Sequence, residues 1–332
     1  MNRSQDVSWA HRVQRELYWA GPIAFLILAC LALSSTVAAQ APARTADIRV
    51  RGLSASDFPR LTRLTANVYA YEQIDPTKRT VTANNLIVIT SEGVLVADGQ
   101  GTVANTTRLV QDIARLTPQP IRYVVVGSEH GDHRGGDSAF PASATFIAHA
   151  FSQANLRRQA DAASARAGAT RIVVPTESVS DRRVLMLGGT EIQILFLGRA
   201  HTGGDLVIFL PRERIVFASE VFSNRVFPSM ANGYPTEWLA TLHALEALPA
   251  DVFVPAHGFV DSASVLQEEL VNYRRAIETI VAEGTRLHDA QVPIETATAS
   301  ANFGSIDSWT RAANNAFQAL NRVYAERDGN LR

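Results

Sequence analysis

At 332 residues, 46% hydrophobic and 19% charged, the chain carries enough apolar material for a large core, which excludes wholesale disorder. Its 31 basic and 32 acidic side chains leave a net charge of −1, which argues against a nucleic-acid binder working through a broad basic face. A single cysteine, Cys30, allows no internal disulfide and no zinc site built mainly of thiolates.

Residues 1–41 read as a targeting segment rather than as part of the fold. Arg3, Arg12 and Arg15 precede an uncharged apolar run over 22–33, and small residues around Ala39 and Ala41 follow as candidate cleavage sites. This is the three-part pattern of a secretory signal peptide, and it places the mature protein in the periplasm or outside the cell. The apolar run is shorter than the ~20 residues a spanning helix needs, so no stable membrane insertion is expected after cleavage. An uncleaved anchor and a lipoprotein processed at Cys30 are the competing readings.

Residues 42–64 read as an N-terminal arm. Strands are expected at 67–72, 85–90, 93–97, 121–126 and 145–148, then at 192–197, 206–210, 215–218 and 252–254, from short β-branched apolar runs. Helices are expected at 102–116, stopped by Pro118, and at 150–168 and 235–248. Two more, at about 262–287 and 308–327, close the chain. Strands and helices alternate in blocks, which predicts an α/β layered domain.

The chemistry is concentrated just past strand ends, where sheet proteins carry site residues. After the strand at 121–126 comes Gly127-Ser128-Glu129-His130-Gly131-Asp132-His133-Arg134-Gly135-Gly136. His201 follows the strand at 192–197, Glu220 the strand at 215–218 and His257 the strand at 252–254. Imidazole and carboxylate suit Zn²⁺ and similar ions. A Gly-bearing loop can turn His130 and the Asp132-His133 pair to different sides, so one segment could feed two neighbouring metal positions. The Gly135-Gly136 pair is expected to let the backbone leave that loop tightly.

This ordered pattern resembles the metallo-β-lactamase superfamily, with H-x-H-x-D-H followed by a His, an Asp and a His. Asp98-Gly99, Ala200-His201-Thr202 with Gly204-Asp205, and Val254-Pro255-Ala256-His257-Gly258 extend it over about residues 65–260. The resemblance implies a four-layer αββα sandwich, with residues 261–332 as a C-terminal helical extension packing on the same domain. It also implies one metal on Asp132, His133 and His257, and another on His130 and His201. Ser128 stands where the first motif His is expected and Glu220 where the bridging Asp is expected. One zinc ion would be firmly bound. A second would depend on Glu129, Glu220 or a water making good the missing imidazole.

The resemblance further implies hydrolysis by a zinc-activated water, with Asp132 as ligand and orienting group. The substrate classes it implies are lactams, lactones, thioesters, sulfate esters and phosphodiesters. Export favours a small-molecule ester, lactone, thioester or lactam. The rival reading is a degenerate fold that binds metal or ligand without turnover. Arg134 could hold a substrate carboxylate or cap a loop. The C-terminal helices could line the pocket or form a homodimer contact.

Overall fold

The computed structural model describes residues 42–75, 80–165 and 171–331. The targeting segment read at 1–41 lies outside the described residues. Among the described residues no helix is long and apolar enough to cross a membrane.

Two sheets form the centre. The first holds seven strands in sequence order: β1 (Arg60–Arg63), β2 (Val68–Ile74), β3 (Thr82–Thr90), β4 (Gly93–Ala97), β5 (Ile121–Val126), β6 (Thr145–His149) and β7 (Glu177–Val179). β1 to β4 run as an antiparallel meander, and β4 to β7 are parallel. The second sheet has the order β12-β11-β10-β9-β8, made of β8 (Arg182–Leu187), β9 (Thr190–Leu195), β10 (Val207–Leu210), β11 (Ile215–Phe217) and β12 (Val252–Val254). Only β11 and β12 are parallel there.

The period-2 alternation of strand side chains explains the layering. Leu86, Val88, Leu95, Ala97, Val125 and Ile147 point from the first sheet into a core shared with Ile192, Ile194, Ile208 and Phe217 of the second. Their neighbours Ile87, Val94, Val96, Val124 and Val126 face the other way. They meet Leu109 and Ile113 of α1 (Val103–Leu116) and Leu156 of α3 (Ala150–Ser164). On the far side of the second sheet lie α4 (Pro235–Glu246), α5 (Ala263–Asp289), α6 (Ile294–Ser300) and α7 (Ala312–Arg327). These contribute Trp238, Leu242, Leu270, Tyr273 and Leu320 to the large core. Burying a side chain of this size contributes about 1.5–3 kcal/mol. The result is the αββα sandwich with added C-terminal helices.

Local chemistry sets the helix ends. The Thr102 side chain accepts the amide of Asn105 at the start of α1, and the helix stops at Thr117 before Pro118. Pro235 opens α4 at the first turn, where its missing N–H costs nothing.

Several elements depart from the sequence reading, among them β7, a three-residue strand, Glu177-Ser178-Val179, with no apolar run to mark it. The arm contains an edge strand, β1, and it is held down: Arg51 forms a two-pronged pair with Asp261, and Ile48 and Phe58 bury against Phe259. β8 carries Arg182 and Arg183 and leaves Val184 and Met186 exposed, so it lacks the buried-strand signature. The closing region has three helices, because α6 intervenes.

The parallel strands β4 and β5 end at the same rim of the sandwich, and so do β11 and β12. The start of β3 is stitched to the segment after β12. Asn84 N–H donates to the carbonyl of Ala256 (2.8 Å), and the Asn84 amide donates to Pro255 and Gly258 carbonyls. Loops from both sheets therefore converge at one end.

Candidate metal centre

After β5 the chain makes one helical turn, α2 (Gly131–Arg134), rather than an irregular loop. That turn sends His130 one way and the Asp132-His133 pair the other. Donor atoms of Asp132, His133, Glu220 and His257 gather within 4.8 Å of one another, and those of His130, His201 and Glu220 do the same. Glu220 belongs to both groups. One oxygen, Oε1, lies 2.9 Å from His133 Nε2, 3.0 Å from His257 Nε2 and 3.8 Å from His201 Nε2. The longer arm of Glu reaches where Asp is expected, from a short 3₁₀ turn, Ser219–Val221, entered through a left-handed Ser219 (φ 46°).

The ring orientations follow from the partners on the opposite nitrogens. His257 Nδ1 lies 2.7 Å from the Thr82 carbonyl and His201 Nδ1 2.7 Å from the Ser229 carbonyl. Each therefore donates Nδ1–H to a backbone oxygen and leaves Nε2 as a lone-pair donor aimed inward. His133 Nδ1 lies 3.1 Å from Asp98 Oδ2, an ion-pair contact rather than a well-aligned hydrogen bond. His130 turns Nδ1 toward His201 Nε2 (2.8 Å), and its Nε2 faces the Asn232 amide at 3.0 Å.

Electrostatics follow from this geometry. Burial opposes a charge on His133, yet Asp132, Asp98 and Glu220 outweigh it and hold its pKa well above the usual value. Burial also opposes the charge on Glu220, but the rings of His201, His257 and His133 hold its pKa well below the ordinary range. His130 is pushed down to about 4, first by burial and then by His201, so its ring is neutral at neutral pH.

Ser128 is fully buried, and its Oγ has no hydrogen-bond partner among the described residues. Glu129, a candidate to replace the missing imidazole, does not join the cluster. Its carboxylate accepts from Ser152 Oγ and from Asn155 Nδ2 (2.6 Å) on α3. Glu220 is the carboxylate placed beside His130 and His201. His149 caps α3 by accepting the Phe151 amide, and His243 is exposed on α4. Trp238 stays in the core, with its ring edge against His201.

The close approaches need glycine, though not for backbone twist at the Gly-Gly pair. Gly135 and Gly136 have φ of −60° and −99°. A Cβ on Gly136 would sit 2.1 Å from Thr106 Oγ1 and 2.2 Å from the Thr102 carbonyl, so the pair lets α2 lie against the start of α1. At Gly127 a Cβ would meet Ser219 Oγ at 2.4 Å, where the loops of the two sheets touch.

The donor set fits a divalent ion. It offers inward Nε2 lone pairs on His201 and His257, held by fixed partners, the rings of His130 and His133, and two carboxylates, in a largely buried cluster. Sequence reasoning singled out Asp98 without a role and missed the rest of the supporting layer: Asn232 and the carbonyls of Thr82 and Ser229. A carbonyl leaves no residue-type signal. The cluster opens into a cavity of about 700 Å³, also lined by Arg134, Phe227, Tyr273, Arg311, Asn314 and Gln318. Residues of α5 and α7 thus form part of its wall.

Comparisons with known proteins agree with this architecture. The profile of the metallo-beta-lactamase superfamily matches residues 83–257. A linear primary-alkylsulfatase from a Pseudomonas species is 23% identical over 227 residues, 55% of this chain, and the chain spans only 43% of that protein. A metallo-beta-lactamase type 2 from Bacteroides fragilis is 24% identical over 231 residues, covering 67% of this chain and 89% of that protein. Among solved structures, a metallo-beta-lactamase from Pontibacter korlensis superposes with a TM-score of 0.55 at 21% identity, over 66% of this chain and 99% of the other. With the profile spanning more than half of its length and every strand-end donor inside the matched segment or at its edge, the chain belongs to the metallo-beta-lactamase superfamily.

Proposed function

We propose that the protein is an exported, zinc-dependent hydrolase that acts on a small ester, lactone, thioester or lactam. The observation that carries this reading is the sharing of Glu220 Oε1 between two buried groups of imidazole and carboxylate donors at the floor of an open cavity. Asp132, His133 and His257 with Glu220 would hold one ion, and His130 and His201 with Glu220 a second. When bound, such an ion acidifies water toward neutral pH and polarises an oxygen of the substrate.

The chain's own residues do the rest. Asp132 stays partly open to the cavity, with Oδ2 3.3 Å from His257 Nε2, so its carboxylate can orient a water and accept its proton. Carbonyls hold His201 and His257 so that no ring needs to turn during reaction. The buried floor excludes bulk water and strengthens each of these contacts.

The test is metal analysis of the mature protein purified without chelator, with assays on chromogenic ester, lactone, thioester, lactam and alkyl sulfate substrates. Bound zinc, turnover of at least one substrate, loss on chelation and recovery with zinc support the reading. Bound zinc without turnover of any of them would favour a binding protein, the reading to which the lone Ser128 hydroxyl lends weight.

A further inference from the structure

Arg311, the residue at the N-terminal end of the C-terminal helix α7, puts an uncommitted cation into the same cavity. Arg311 lines it just before the first turn, and Asn314, Asn315 and Gln318, spaced i, i+1 and i+4, line it from one side of the helix. The opposite face buries Ala312, Ala316, Ala319, Leu320 and Val323 in the core. Asn315 is already used, donating to the Phe227 carbonyl at 2.8 Å. Arg134, the other arginine on the wall, is also engaged, with the Glu129 carbonyl (3.1 Å) and Gln159. The Arg311 guanidinium makes no hydrogen bond or ion pair among the described residues, and the acidic groups on the wall, Asp132 and Glu220, belong to the metal cluster.

The backbone at Arg311 is fixed and strained. Its φ is 72°, in the left-handed region that residues with a Cβ avoid, at a cost of about 1–3 kcal/mol. Neighbouring contacts impose it. Val226 bridges Thr310, Phe227 N–H donates to the Thr310 carbonyl (2.9 Å), and Thr310 N–H donates to the Arg225 carbonyl (3.2 Å). Glycine would relieve the strain, yet arginine stands there and lines the cavity.

We propose that Arg311, with the amides of Asn314 and Gln318, forms a subsite for a carboxylate on the substrate, remote from the bond that is broken. Guanidinium matches a carboxylate through two parallel N–H···O bonds, and the flanking amides supply further donors. The subsite lies outside residues 83–257, so it belongs to this chain's extension rather than to the shared core. As a statement about substrate it rests on the hydrolase reading above.

The test compares zinc-loaded wild type with Arg311→Gly, a variant that keeps the left-handed backbone without strain. The substrates are 4-nitrophenyl valerate and mono-4-nitrophenyl glutarate, which differ by a carboxylate in place of a methyl group. The KM for the glutarate ester is expected to rise about 10–100-fold, with the valerate ester changed less than about twofold. A loss shared by both esters, or shown by neither, overturns the subsite. If wild type turns over neither ester, the hydrolase reading has failed on these substrates, and calorimetric titration with glutarate decides the subsite separately. Binding about tenfold weaker in the variant upholds it, and equal binding, or none by wild type, overturns it.

Discussion

Asp98 Oδ2 sits 3.1 Å from His133 Nδ1, although the two residues leave the ends of different strands, β4 and β5. Asp98 is itself left-handed (φ 63°), and its Oδ1 accepts the Gly127 amide at 2.6 Å, which ties it to the base of the loop that carries the cluster. Asp98 thus orients a ring whose other nitrogen faces Glu220. Asp98→Asn tolerates the same backbone but loses the charge. Zinc affinity at the Asp132, His133 and His257 position is expected to fall about 10–100-fold, read by competition with a chromogenic chelator. An affinity within about twofold of wild type would show that the contact does not support the site.

The two donor groups differ in number. One has Asp132, His133, Glu220 and His257, and the other has His130, His201 and Glu220 with a hydroxyl, Ser128, where an imidazole is expected. His257→Ala is therefore expected to lose more zinc than His201→Ala at equal free zinc. Ser128→His, in turn, should raise the second equivalent. Equal or reversed losses in the alanine pair would overturn the ranking of the two positions.

In the proposed reading Asp132 both holds metal and orients the water, and a variant can separate the two roles. In Asp132→Asn, His133, His257 and Glu220 would remain to hold an ion, but the carboxylate proposed to accept the water's proton would be gone. Turnover should drop by about 10²–10⁴ while bound zinc drops far less. A near-normal kcat in zinc-replete buffer would refute the role.

Away from the site, Glu72 on β2 is buried, and burial pushes its pKa up to about 7 despite Arg60 at 3.9 Å and the Val260 amide at 3.0 Å. A carboxyl whose pKa is raised in the fold favours the native state below its unfolded value near 4.5. That advantage is lost as pH rises through about 7. Glu72→Gln keeps an oxygen for the Val260 amide and removes the ionisation. It should stabilise the protein at pH 8 by about 1–3 kcal/mol, from ~2 pKa units at 1.36 kcal/mol each, discounted for relaxation. The gain should vanish near pH 4. Thermal melts at both pH values check this, and a gain that does not depend on pH would point to another cause.

What the sequence made legible follows from where its signals are strong. β4, β5 and β12 match their expected bounds, because short apolar runs between turn residues allow little else. The six metal-type residues stood just past strand ends and are brought together. The strands β1, β7 and β8 were not legible. All three lie at sheet edges, and β1 and β8 carry arginines there, which keep an exposed strand from pairing with another chain and also blur the apolar pattern. Likewise the face holding Arg311, Asn314 and Gln318 reads in sequence like any solvated helix face. Only tertiary structure shows that it borders the cavity.

The six donors divide evenly between the sheets. His130, Asp132 and His133 hang from the first, and His201, Glu220 and His257 from the second. An ion seated among them would consequently be a fastener across the seam of the sandwich. The chain has one cysteine and so cannot close that seam with an internal disulfide. Chelation should therefore be felt as a loosening of the two sheets at this rim, with faster amide exchange in β3 and in the turn after β12, well before the remainder of the fold gives way.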